Sequence, residues 1–130
     1  MAAAENEATV RRIFEAFSRK DGFSLRELFA EDAVWTVPGA GVMAGVHRGR
    51  EEIFRFLARL AKETDGTYHS ELVDVLASRD RAAALYRARG VRRGRTLELD
   101  QLLLFRLQGA LVREVLALPS DPAAFEEFWA

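Results

Sequence analysis

The stretch Arg95–Leu107 (RTLELDQLLLFRL) constrains the fold of this chain more than any other. Successive side chains of a strand point to opposite faces. Leu97, Leu99, Gln101, Leu103, Phe105 and Leu107 would therefore share one face, apolar except for the glutamine. Glu98, Asp100, Leu102, Leu104 and Arg106 would share the other, charged at one end and apolar in the middle. A helix would scatter the leucines around its whole circumference, so a period of two fits better. At about 3.3 Å per residue the strand spans roughly 40 Å, longer than most. Such a strand predicts the centre of an antiparallel sheet that curves around a core.

The flanking segments supply what that core needs. From Glu5 to Arg19, Ala8, Val10, Ile13, Phe14, Ala16 and Phe17 recur at helical spacing, and Asp21-Gly22 ends the run. Ser24 followed by Glu27 reads as a capping box opening a short second helix with Leu25, Leu28 and Phe29, ending near Asp32. Ala33–Val37 is a short strand stopped by Pro38-Gly39. The glycine-rich segment from Pro38 to Gly49 reads as a loop carrying Met43 and His47. Arg50–Glu63 forms a third helix with Ile53, Phe54, Phe56, Leu57, Leu60 and Ala61 on its buried stripe. Four meander strands follow: Thr67–Ala77, Arg81–Val91, Arg95–Leu107 and Leu111–Leu118, the last pair joined at Gln108-Gly109. Pro119, Asp121 and Pro122 then lead into a short segment capped by Asp121 and bearing Phe125, Phe128 and Trp129. Helices first and a meander last make an α+β chain.

Bulk properties remove several functional classes. A chain of 130 residues is expected to form one domain, residues 1–130, able to bury its own core. The formal charge of −1 gives no footprint for nucleic acid or an anionic membrane, and no apolar run reaches the length of a membrane span. Without cysteine, thiol catalysis and thiolate metal sites are excluded. The start MAAAENEATV has neither the basic nor the apolar region of a signal peptide, so a cytoplasmic location is expected. His47 and His69 stand 22 positions apart with no carboxylate at ligand spacing, and no metal site is expected.

Five segments together resemble the SnoaL-like branch of the nuclear transport factor 2-like superfamily. They are FAEDAVWTVPG (Phe29–Gly39), GVHRGREEIFRFL (Gly45–Leu57), ELVDVLASRDRAAALYRARG (Glu71–Gly90), LLLFRLQGALVREV (Leu102–Val115) and DPAAFEEFW (Asp121–Trp129). The resemblance implies a cystatin-like cone, in which N-terminal helices pack in a curved antiparallel sheet of four to five strands around a central pocket. It also implies a choice among isomerases, epoxide hydrolases, polyketide cyclases, dehydratases and plain binding or dimerising domains, because the fold does not fix the reaction. The base of isomerase-like members matches Val37 here, their protonated acid matches Leu103, and their phenol donor falls near Ile13 or Phe14. The arginine and aspartates of epoxide-hydrolase-like members match Ala88, Gly90 and Leu118. Neither mechanism transfers.

With the facing set by the long strand, the pocket is expected to be lined by Phe14, Phe17, Trp35, Val37, Met43, Phe54, Leu57, Tyr86, Ala88, Gln101, Leu103 and Leu118. Gln101 and Tyr86 are its inward polar groups, with His47 near the mouth. An apolar cavity with few polar groups suits a small hydrophobic or aromatic molecule; alternatively, the aromatics simply fill the cone. If the chain is an enzyme, it would be an isomerase, cyclase or hydratase using acid–base chemistry without a cofactor. His47 and Tyr86 would then act as donors, Asp100 as base and Gln101 as orienter. Asp100 has the outward parity shared by Arg87 and Arg89, so a cross-strand ion pair is the competing expectation. Asp74 is the other carboxylate of interest. Leu85, Leu102, Leu104 and Val115 are expected on the outer face of the sheet, where they predict a homodimer.

Overall fold

The structure, a computed structural model, describes residues 2–130. Its elements in order are α1 (Ala2–Ser18), α2 (Gly22–Glu27), β1 (Phe29–Val37), β2 (Gly45–Arg48), α3 (Arg50–Glu63), β3 (His69–Ala77), β4 (Arg81–Arg92), β5 (Arg95–Gln108), β6 (Leu111–Pro119) and α4 (Pro122–Trp129). The strands form one curved sheet in the order β2-β1-β6-β5-β4-β3. The α+β class is borne out, with six strands rather than four or five. Nor is the sheet wholly antiparallel. The β1 strand lies parallel to β6, Trp35 beside Val115, because β1 reaches the sheet from the helical half of the chain.

β5 has the alternation expected of it. Leu97, Leu99, Gln101, Leu103, Phe105 and Leu107 are buried, while Glu98 and Asp100 are exposed. Phe105 is fully buried, which is worth about 1.5–3 kcal/mol over leaving it in water. The β4–β5 turn is Arg93-Gly94, at φ 50° and 76°, and the β5–β6 turn is Gly109-Ala110, at φ 60° and 62°. Paired left-handed residues match the twist of flanking strands. This places the second turn one residue later than Gln108-Gly109.

Two bulges change which side chains face in. On β6, Arg106 pairs with Glu114 and Leu107 with Val112, so Arg113 is the extra residue. Beyond it the parity inverts. Val115 and Ala117 are consequently buried, and Leu118, expected in the pocket, lies on the outer face 40% exposed. Val115, expected outside, is 2% exposed. On β3 the extra residue is Val73, between the pairs Leu72–Tyr86 and Asp74–Leu85.

Elsewhere the helical half departs from the pattern in detail. Asp21, not Ser24, caps α2: its carboxylate accepts from Ser24 N at 3.1 Å and from Ser24 Oγ at 2.7 Å. The helix stops at Glu27, and Phe29 already belongs to β1. Gly45–Arg48, expected as loop, pairs with β1 as an edge strand. Ala61 is exposed, although Ile53, Phe56 and Leu60 are buried as expected on α3.

α1 is tied across the sheet by buried polar side chains that hydrophobic periodicity leaves out. Asn6 Nδ2 donates to Ser78 O and Arg79 O, each at 3.0 Å, and Thr9 Oγ1 donates to Ala110 O at 3.0 Å. The β3–β4 and β5–β6 turns are thereby pinned to one helix. At the other end Asp121 caps α4 by accepting from Ala124 N. The buried Arg92 donates to Glu63 Oε1 at 3.1 Å, Phe128 O at 3.2 Å and Ala130 O at 2.7 Å. α4 packs against the glycine-rich loop, where Val42 N donates to Trp129 O at 2.9 Å.

Candidate functional site

The inward residues of β4, β5 and β6 meet α1, α3 and β1 around a small interior space. Its outer part, about 40 Å³, is lined by Ile13, Phe14, Phe17, Leu25, Trp35, Leu57, Leu60, Tyr68, Ser70, Tyr86 and Leu103. An inner part of similar size shares Trp35, Leu60, Tyr68, Tyr86 and Leu103, and adds Val37, Met43, Phe56, Gln101, Ala117, Phe125 and Trp129. Phe17, Leu25, Leu57, Tyr68 and Ser70 of the outer chamber also border a cleft of about 590 Å³ between the α1–α2 corner, α3 and the start of β3. Lys20, Asp21, Thr67 and His69 stand on the rim of that cleft.

Aromatic packing holds the walls. Phe14 meets Tyr86 edge-on at 5.3 Å, and Trp35 lies 5.4 Å from Phe56, between ring centres. The polar groups among them are neutral. Gln101 Nε2 donates to the Tyr86 hydroxyl at 2.7 Å, from directly across the β4–β5 pair. Burial pushes the Tyr86 phenol well above its ordinary value; the charge of a nearby Tyr68 phenolate adds to this, and the Gln101 bond opposes it. Burial also raises Tyr68, against hydrogen bonds with Ser70 and Tyr86. Both phenols stay protonated at neutral pH.

Four buried side-chain atoms have no hydrogen-bond partner among the described residues, and two of them belong to residues that line the inner chamber: Trp35 Nε1, a donor, and Gln101 Oε1, an acceptor. Leaving such atoms dry costs about 1–3 kcal/mol each. Among the described residues, no Asp, Glu, His, Lys or Arg lines either chamber. The arrangement can donate and accept hydrogen bonds in an apolar setting, and holds no group poised to take a proton near neutral pH.

Of the residues expected at the pocket, Phe14, Phe17, Trp35, Val37, Met43, Leu57, Tyr86, Gln101 and Leu103 line the chambers, and Phe54 lines the cleft. Ala88 is wholly buried but borders neither chamber. Asp100 points outward, where Arg87 Nε donates to it at 3.0 Å and Arg87 Nη1 donates to Glu98 at 3.2 Å. The cross-strand pair is therefore what forms, and no bulge turns Asp100 inward. Asp74 is exposed beside the β3 bulge, accepts from Val75 N and lies 4.0 Å from Arg11. His47 sits on β2, its ring 4.4 Å from that of Phe56 and its Nε2 3.3 Å from Met43 O, and it borders neither chamber.

The sequence reading missed Tyr68 and Ser70. Tyr68 precedes β3 and has no strand partner to give its facing. Among the described residues, no group of three or more His, Asp and Glu side chains is arranged to hold a metal ion, and no helix is long and apolar enough to cross a membrane.

Comparison with known proteins agrees with this fold. Residues 10–115 match the family model described as a SnoaL-like domain. An uncharacterised protein of Mycobacterium tuberculosis is 38% identical over 122 residues, covering 93% of each chain. The structure of Bal32a, from a soil-derived mobile gene cassette, superposes with a TM-score of 0.96 at 37% identity over 100% of both chains. A protein of unknown function with a cystatin-like fold from Xanthomonas campestris superposes with a TM-score of 0.89 at 25% identity, covering 96% of this chain and 98% of that one.

Proposed function

This chain belongs to the SnoaL-like domain family, and from that premise we propose that it binds a small, uncharged, mainly hydrophobic or aromatic molecule inside its cone. The observation that carries this reading is the lining of the two chambers, apolar apart from neutral Trp, Tyr, Ser and Gln groups. An ionised ligand would shed its water there and find no counter-charge, at a large cost. A neutral ring gains burial and aromatic contact. The cleft beside Phe17 and Leu57 supplies the route in.

The test is native mass spectrometry of freshly purified protein, followed by thermal melts against a panel of neutral and carboxylated aromatics. Neutral members should raise the melting temperature, and their carboxylates should not. If no compound is retained and none shifts the melt, the cone is a filled structural core.

A catalytic reading draws support from the Tyr86–Gln101 hydrogen bond, since a protonated phenol in an apolar chamber can polarise a carbonyl. In that case Tyr86→Phe would lower turnover while Asp100→Asn would leave it unchanged. The second half of this expectation follows from the exposure of Asp100 on the opposite face.

For the assembly, we infer a homodimer through the outer sheet face. Val73, Leu85, Leu116 and Leu118 are exposed there at 68%, 37%, 37% and 40%. They lie among charges of both signs: Glu71, Arg87, Arg89, Glu98 and Asp100. A two-fold contact needs a surface complementary to itself, and a mixed-sign rim around an apolar centre meets that condition.

A further inference from the structure

We propose that Trp35 Nε1 and Gln101 Oε1 form a paired anchor for a single neutral hydroxyl group, so that the cone selects a hydroxylated ring over an apolar ring of the same shape. This rests on the binding reading above. Trp35 and Gln101 are 6% and 8% exposed, both line the inner chamber, and each offers one unused valence of opposite kind. A hydroxyl accepts from an indole N–H and donates to a carboxamide oxygen at once. A carbonyl or an ether satisfies only the first, and a carboxylate brings a charge with no counter-ion.

The neighbours fix the roles of these two atoms. Gln101 Nε2 is committed to the Tyr86 hydroxyl, which orients the carboxamide with its oxygen free. Trp35 is held between Phe29, at 6.2 Å, and Phe56, at 5.4 Å, which fixes the plane of its indole. Phe14, Phe17, Leu57 and Leu60 then offer the apolar wall for the ring itself in the outer chamber. Each chamber is smaller than the ~150 Å³ cavity that admits benzene. A single ring is therefore the largest occupant, and it needs Phe17 and Leu57 to turn aside at the cleft so that the chambers widen.

Phenol and toluene form the discriminating pair, because they differ by one hydroxyl against one methyl. A dry apolar cavity prefers toluene, since phenol must give up water at its hydroxyl. The wild-type chain is titrated with each by calorimetry, with benzoate as the charged control, and the Trp35 indole N–H resonance is followed in parallel. The expected result is phenol bound about tenfold tighter than toluene, as one ordinary hydrogen bond would give. The Trp35 N–H should move with phenol alone, and the preference should vanish in Gln101→Leu. Toluene binding as well as or better than phenol overturns the anchor while leaving the cone-binding reading intact. Absence of binding by both overturns the two together. The wild-type comparison decides the matter even if Gln101→Leu does not fold.

Discussion

Tyr86 illustrates how much a single residue's surroundings decide. Its phenol is buried and its folded value is raised by that burial. Above the ordinary phenol value of 10.0 the unfolded chain gives up a proton that the folded chain keeps. The stabilisation is therefore full below that pH and is lost as pH rises towards the raised folded value. Denaturant melts across an alkaline series should show stability falling with pH in the wild type and falling less steeply in Tyr86→Phe. Equal slopes would mean that solvent reaches the phenol. At neutral pH the same variant should lose about 1 kcal/mol with the Gln101 bond. The partnership was half legible in the sequence: parity put both side chains inward, but only the register of β4 against β5 sets them directly opposite. Trp35 was legible as a ring, not as a free donor.

At the scale of elements, the glycine-rich segment and α4 behave as one unit. Val42 N donates to Trp129 O at 2.9 Å, and Ala40 N donates to the Glu126 carboxylate. A Cβ at Gly41 would stand 2.7 Å from Trp129 O and 2.9 Å from Trp129 Cβ, closer than packed atoms allow. Gly41→Ala should push α4 off the loop and cost about 1–3 kcal/mol, as overpacking does. Denaturant melts and the emission of Trp129 would register it; an unchanged melt would mean that the loop yields freely. Composition marks this segment as a break in regular structure, and so hides both β2 and the contact with α4. Gly41 is required by a backbone packed against it from residues almost ninety positions later, information that no local pattern contains. The bulges at Val73 and Arg113 are likewise silent, since an extra residue shows only against the strand it fails to pair with.

For the whole molecule, the outer sheet face carries the prediction of assembly. Leu118→Lys places a charge on a side chain already exposed in the single chain, so the fold should survive. If the dimer forms through this face, light scattering should give twice the chain mass for the wild type and the chain mass for the variant. A wild-type chain that is monomeric at micromolar concentration removes the proposal. The β6 bulge matters here too, because it turns Leu116 and Leu118 outward and takes Val115 into the core. One extra residue thus moves apolar surface from the pocket to the outer face of the sheet.

The sequence by itself determined the α+β class, the helix–sheet order and the inward face of β5, because these follow from periodicities that each segment carries alone. It also determined that the interior would be apolar and aromatic, with Tyr86 and Gln101 as polar groups on that face. Only the tertiary structure decided that β1 lies parallel to β6, that Leu118 leaves the pocket while Tyr68 and Ser70 join it, and that Asp100 is held by Arg87 on the far side. It alone decided that Trp35 and Gln101 each keep one unpartnered atom inside. Facing along a strand is a local property until a bulge intervenes. Hydrogen-bond satisfaction is never local, because it depends on every group the fold brings within reach.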